Sequence, residues 1–392
     1  MRRQEARPTA IGTPISPLTP HPMSAMPTSP TLGCSKADLD TPALCVDLDA
    51  MEHNIDAVAA ACRGFNVSWR PHAKCHKSPL IGAKLTAAGA IGLTCAKLGE
   101  AEVMATGGIQ DLLIANMLVG PRKVARLVEL RKIADPIATV DHVEQARPIG
   151  DAMASAGLQV RMIVEVDIGL GRVGSAPGAA TLELANFIHG HPGLELAGVM
   201  GYEGHLLTIE DLDEKKRCIK DALQLLVENA SLLRQAGLPC PIVSCGGTGS
   251  FVYSVEAPGI TELQAGGAIF MDEFYREKCQ VTHLRHALSV VVTVVSTPAA
   301  DRAIIDAGRK TMHGDFVPPR VVGRDDLKFD RLSAEHGALT VDANGPGVRI
   351  GDRLEVIPGY SDMTNVLHNH FYGFRQDSLE VVWSLDARGR LQ

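Results

Sequence analysis

Short apolar runs alternate with helix-period stretches from residue 43 to residue 247, and this alternation constrains the fold of the 392-residue chain more than any other feature. The runs are "ALCVDL" (43–48), "VSWRPHAK" (67–74), "IGLTCAK" (91–97), "DLLIAN" (111–116), "PIATVD" (136–141), "VRMIVEVD" (160–167), "LAGVMGYEG" (196–204) and "PIVSCGG" (241–247). Between them lie stretches such as "DAMEHNIDAVAAAC", where Met51, Ile55, Val58 and Cys62 recur at helical spacing behind a capping Asp49. Strands that alternate strictly with helices pair in parallel. Eight such units over about 200–250 residues predict a closed (β/α)8 barrel of the TIM type. A doubly wound open sheet is the alternative, because periodicity does not specify closure. After residue 285 the texture changes to strand-like runs such as "ALSVVVTVVSTP" and "LEVVWSLDARG" separated by Gly, Pro and Asp turns, with little helical period. The expected organisation is a barrel over 36–285 followed by a β-rich domain over 286–392.

Residues 1–35 are rich in Pro, Thr and Ser, show no apolar period, and are expected to form a mobile leader without chemistry of its own. They lack the apolar stretch of a secretory signal, and an organelle transit peptide is the lesser reading. A net charge of -7 and only 4% aromatic residues offer neither a basic field nor stacking surfaces, so nucleic acid is excluded as an expected partner. No segment is long enough to span a bilayer. Nine cysteines without a C-x-x-C pair fit free thiols in a reducing cytoplasm.

In such a barrel, chemistry collects at the carboxyl ends of the strands. Lys74, Lys97, "DIGLGR" (167–172), "YEGH" (202–205) and "SCGGTGS" (244–250) all fall there. The glycines and hydroxyls of "SCGGTGS" let backbone amides approach a phosphate, with "AGG" (265–267) as a second source; a plain tight turn is the competing reading. A phosphate cradle opposite a strand-end lysine suggests pyridoxal phosphate, whose aldehyde condenses with an amine. A lone lysine at a strand end is ordinarily solvated or ion-paired; here His72, Cys75, His76 and the inward position argue otherwise.

The motifs "RPHAKCHK", "GLTCAKLGEAE", "VEVDIGLGRVG", "SCGGTGS", "TELQAGGAIFMD" and "IIDAG" resemble, in order and over nearly the whole chain from about residue 40, the fold-type III pyridoxal phosphate enzymes of the D-threonine aldolase, 3-hydroxy-D-aspartate aldolase and D-serine dehydratase group. The resemblance implies an alanine racemase-like barrel followed by a β domain, usually in a homodimer. It makes Lys74 the Schiff-base lysine and Lys77 a structural or electrostatic neighbour. It places Arg172 at the pyridine nitrogen, Tyr202 beside the cofactor, and Gly246, Gly247, Thr248, Gly266 and Gly267 on the phosphate. The chain departs from this pattern twice. Gly266-Gly267-Ala268 stands where relatives carry a phosphate-facing hydroxyl, and "IPGYSDMTN" has Tyr360 and Asp362 where relatives carry H-x-C or H-x-D, a metal pair. Asp362 would hold a divalent cation of Mg or Mn type only weakly, and "HNH" offers His368 and His370, at i and i+2 of an expected strand, as a displaced site.

The activity implied is cleavage or formation of the Cα–Cβ bond of a β-hydroxy-D-amino acid, from small amino acid and aldehyde substrates, with His205, His72 and Tyr360 as candidate proton carriers. Dehydration of a D-hydroxyamino acid is the nearest alternative. Racemisation and a non-catalytic cofactor-binding regulatory role follow.

Overall fold

The structure, a computed structural model, describes residues 30–392; most of the expected leader lies outside the described residues. The first strand, β1 (Ala43–Asp47), is followed by α1 (Leu48–Gly64). Met51, Ile55, Val58 and Cys62 are all buried along one face of α1, as their spacing predicts. The cap, however, is Asp47, whose carboxylate accepts the Ala50 N–H at 2.9 Å; Asp49 already lies inside the helix.

Eight parallel strands follow: β2 (Ser68–Trp69), β3 (Leu93–Cys95), β4 (Asp111–Met117), β5 (Asp135–Val140), β6 (Val160–Glu165), β7 (Leu194–Met200), β8 (Ile242–Cys245) and β9 (Glu262–Leu263). Their order is β2-β9-β8-β7-β6-β5-β4-β3, and a parallel bridge between His72 and Thr94 joins the two ends. The sheet is therefore a barrel and not a doubly wound layer. The connecting helices are α2 (Pro79–Ala87), α3 (Leu98–Thr106), α4 (Pro121–Arg131), α5 (Val143–Ser155), α6 (Ala179–Gly190), α7 (Leu212–Gln235) and the single turn α8 (Phe251–Ser254). Near-continuous apolar strands such as "DLLIANM" bury both faces. Leu113, Ile137, Ile163, Ala197 and Met200 form one cluster inside the barrel, while their neighbours Leu112, Ile114, Ala138, Met162, Val164 and Val199 belong to the core that includes the helices.

The second unit contains β10 (Leu288–Ala299), β11 (Arg302–Ile305), β12 (Arg320–Val321), β13 (Leu327–Leu332), β14 (Gly337–Val341), β15 (Arg353–Ile357), the short helix α9 (Ser361–Asn365), β16 (His370–Arg375) and β17 (Ser378–Ser384). Its sheet order is β11-β14-β13-β12-β15-β10-β1-β16-β17, and an added β10–β11 pairing closes six of the strands on themselves. This corrects the reading of the first apolar run. β1 lies antiparallel to β10, with Val46 opposite Leu288, and parallel to β16, with Cys45 opposite Tyr372; it is not a barrel strand. The eighth barrel strand is β9, whose two residues include the charged Glu262 and present no apolar run to read.

Deep in the barrel, Arg70 is fully buried. Its Nε donates to Glu262 at 2.9 Å, and a terminal nitrogen pairs with Asp111 at 2.9 Å. Arg70→Met should therefore leave the buried Glu262 without its cation, while Asp111 keeps Arg161, and cost about 3–5 kcal/mol. An unchanged midpoint in thermal or urea unfolding would contradict that role. Among the described residues no helix is long and apolar enough to cross a membrane.

Candidate active site

The barrel mouth holds a cavity of about 290 Å³ lined by His72, Lys74, Asn116, Met117, Arg172, Tyr202, Gly246, Gly247, Thr248, Gln264, Gly266, Gly267 and Tyr275, among others. The lysine comes from a short helical turn, Ala73–Cys75, that leaves the closing bridge of the barrel. His72 caps this turn, its Nδ1 accepting the Lys74 N–H at 3.3 Å. Burial, and then the Lys74 charge, hold His72 well below its usual range, so the ring is neutral. Asn365 of α9 donates to the Cys75 carbonyl at 2.6 Å, which ties the second unit to the turn.

Lys74 is 40% exposed, and that exposure opens into the cavity. Its Nζ stands 3.3 Å from Asp362 Oδ2, and the carboxylate holds the amine above its ordinary range. Lys77, three residues on, points elsewhere. Its Nζ pairs at 2.8 Å with the fully buried Glu100, the structural role expected of it.

Opposite the lysine, the segments after β8 and β9 meet. Gly246 has φ +83°, a conformation glycine adopts without strain. A Cβ at Gly247 would lie 3.0 Å from the Tyr202 ring, and one at Gly267 would lie 3.1 Å from the Tyr275 hydroxyl and 3.2 Å from Thr248 Oγ1. At Gly266 it would strike the His72 carbonyl oxygen at 2.3 Å. Side chains would thus fill the cradle, and its glycines keep it open. Behind it, the buried Glu203 accepts the Ser250 and Ser254 hydroxyls at 2.6 Å each and the Gly246 N–H at 3.3 Å, fixing the loop. The residues present fit pyridoxal phosphate: a cradle for the phosphate, an amine for the aldehyde, and Tyr202 between, its phenol pushed up to about 12 by burial.

Arg172 lines the mouth, its guanidinium 5.9 Å from the centre of the Tyr202 ring and 3.6 Å from Glu165. Burial pushes the Glu165 carboxyl up to about 7 against the pull of Arg172. A folded value above the ordinary 4.5 favours the protonated, folded form. That contribution is complete below about pH 4.5 and lost as the pH rises through about 7. Glu165→Gln should accordingly leave the melting temperature unchanged in acid and raise it over wild type by about 2–4 °C near pH 8. Parallel melting curves at both pH values check this.

Other predicted residues lie elsewhere. His205 is exposed on the turn Gly204–Leu206 beside Gly169, outside the cavity lining. His368 precedes the strand, its Nε2 bonded to the Thr311 carbonyl at 2.8 Å, while the exposed His370 begins β16. The chain turns between them, so the i, i+2 spacing does not place them on one strand face, and the displaced metal site is not formed. Asp362 does reach the site, but the donors around it do not fit a metal. Its Oδ2 meets the Lys74 ammonium and, at 3.1 Å, the Tyr360 hydroxyl, both proton donors. Among the described residues no three His, Cys, Asp or Glu side chains gather in a metal-holding group.

Tyr275, Gln264, Asn116, Glu165 and Glu203 are site residues that sequence reasoning missed. Tyr275 sits in the π-helical turn Phe274–Lys278, which has no periodic signal. Glu165 was findable, as a charge inside the apolar run "VRMIVEVD".

A parallel barrel whose lysine faces a glycine cradle across a cavity, backed by a closed antiparallel sheet, defines the alanine racemase class of pyridoxal phosphate proteins. The family model "Alanine racemase, N-terminal domain" matches residues 46–273, and "Putative serine dehydratase domain" matches residues 287–374. The chain belongs to this family, which is pyridoxal phosphate-dependent, and its curated relatives are lyases. It is 35% identical over 367 residues to D-threonine aldolase from Arthrobacter sp., covering 93% of this chain and 97% of that one. It is 32% identical over 368 residues to 3-hydroxy-D-aspartate aldolase from Paracoccus denitrificans (strain Pd 1222), covering 91% and 94%. D-threo-3-hydroxyaspartate dehydratase from Delftia sp. (strain HT23) is 32% identical over 372 residues, covering 88% and 97%, and a mutant D-threo-3-hydroxyaspartate dehydratase has been solved in a metal-free form. The crystal structure of D-threonine aldolase from Filomicrobium marinum superposes with a TM-score of 0.90 at 35% identity, covering 93% of this chain and all of that one.

Proposed function

We propose that the chain is an aldehyde-lyase of the D-threonine or 3-hydroxy-D-aspartate aldolase type, cleaving or forming the Cα–Cβ bond of a β-hydroxy-D-amino acid. The observation that carries this reading is the Lys74 amine in the cavity with Asp362 and Tyr360 at its side, where a substrate bearing a β-hydroxyl finds a partner for that group. When bound, pyridoxal phosphate supplies an electron sink for the pair left on Cα when a substrate bond breaks. Lys74 would hold its aldehyde carbon, and Gly246, Gly247, Thr248, Gly266 and Gly267 its phosphate. Tyr202 would pack beside the ring. Arg172 would face the ring nitrogen, where a permanent cation disfavours protonation and moderates the sink. The neutral His72 is a candidate proton carrier at the lysine, and the Tyr360 hydroxyl stands against Asp362; the exposed His205 is suited only to the outer rim. Nine free cysteines agree with residence in the cytoplasm, and a homodimer is the expected assembly.

Dehydration is the second reading, favoured by the dehydratase model matched over the second unit. Incubating the holoenzyme with D-threonine, D-serine and D-alanine separates the possibilities. Acetaldehyde and glycine from D-threonine are expected. An oxoacid with ammonia would replace the aldolase by a dehydratase, an L-enantiomer by a racemase, and stable cofactor binding without product by a regulatory protein.

A further inference from the structure

We infer that this chain acts on the β-hydroxyl without a metal, and that Asp362 itself is the base. The inference rests on the aldolase reading and specifies how it is carried out. Asp362 is 9% exposed; its Oδ2 meets Lys74 Nζ at 3.3 Å and the Tyr360 hydroxyl at 3.1 Å, and its Oδ1, buried, has no hydrogen-bond partner. A carboxylate oxygen left unpaired in the interior is costly unless something else meets it there. The substrate amine nitrogen must take the place that Lys74 Nζ occupies, and the β-hydroxyl oxygen lies only a few bonds away. A carboxylate in contact with Nζ is therefore within hydrogen-bond reach of that hydroxyl.

Two neighbours fix the carboxylate. Ser361 is held by Asp272, whose Oδ2 accepts its N–H at 2.7 Å, and the same carboxyl accepts the Tyr275 N–H at 2.8 Å. Tyr360, packed edge-on against Phe274 and Tyr275, donates its hydroxyl to Oδ2. Tyr360 is thus a positioning residue for Asp362. In the reaction the hydroxyl proton moves to Asp362, the Cβ–O bond becomes the aldehyde carbonyl, and the Cα–Cβ bond breaks with its electron pair left on Cα. The aldehyde departs. The proton passes from Asp362 to the neighbouring Lys74 amine and on to Cα, so that one proton is moved and none is gained or lost.

The test uses the full-length holoenzyme with D-threonine. After dialysis against chelator in the presence of cofactor, acetaldehyde production should stay within about twofold of the untreated rate, added Mn²⁺ or Mg²⁺ should change it by less than about twofold, and elemental analysis should find less than stoichiometric metal. Asp362→Asn should lower kcat by about 100-fold with little change in KM and with the cofactor absorbance retained, and Asp362→Glu should recover part of the loss. Loss of activity on chelation with restoration by Mn²⁺, or an Asp362→Asn kcat within about threefold of wild type, overturns the inference and leaves the aldolase reading standing. A holoenzyme with intact cofactor absorbance that releases no aldehyde overturns the reading beneath it. The chelation arm needs no variant and holds even if the substitutions fail to fold.

Discussion

Lys74→Ala should lose covalent cofactor attachment altogether and lower turnover by about 10³-fold or more. Two effects combine. The amine that anchors the aldehyde is gone, and Asp362 is left in a nearly buried position without the cation 3.3 Å away. The check is direct: the visible absorbance of the loaded wild type should change on borohydride treatment and become fixed to the protein, whereas the variant should hold cofactor only reversibly and lose it on dialysis. A variant spectrum identical to wild type would remove Lys74 from the centre of the site. Lys77→Ala distinguishes the two lysines. Its loss breaks the buried pair with Glu100 and should reduce stability while leaving borohydride trapping intact.

Gly266→Ala is expected to raise the dissociation constant for pyridoxal phosphate by about 100-fold, equivalent to about 2.7 kcal/mol. The added carbon would lie 2.3 Å from the His72 carbonyl oxygen and 2.6 Å from its nitrogen. Both are backbone atoms of the segment that presents Lys74, so no rotamer change relieves the clash, and the two halves of the site must move apart. Gly267→Ala is the control, because its new methyl would meet the ends of the Tyr275 and Thr248 side chains at 3.0–3.2 Å, groups that can yield. Its effect should be several-fold smaller. Fluorescence titration of the apoprotein with cofactor measures both, and equal effects would argue against the backbone apposition as the cause.

Much of this site could be read in the chain because its elements are local. "RPHAKCHK" carries the lysine and its capping histidine within three residues, and "SCGGTGS" carries most of the glycine cradle that lines the cavity in one turn. The family motifs supplied Arg172 and Tyr202, and both line the cavity. What escaped is long-range. Nothing in "ALCVDL" states which sheet it joins, since a strand followed by a helix has the same hydrophobic signature in either setting, and β9 is too short to have a signature at all. The displaced metal site failed for a related reason. The i, i+2 rule for a shared face holds only inside a strand, and β16 begins at His370, after His368 has already turned toward Thr311. Glu203, Tyr275 and Asp272 matter through partners 43 to 89 residues away, which no spacing reveals.

Because β1 is hydrogen-bonded between β10 and β16, the polypeptide visits the carboxy-terminal sheet before it builds the barrel and returns to it afterwards. The barrel is in effect an insertion between two pieces of its neighbour. A clone truncated near residue 285 would carry an orphaned hydrophobic edge, and a chimaera between relatives would need to exchange the opening strand together with the distant tail to keep either half soluble.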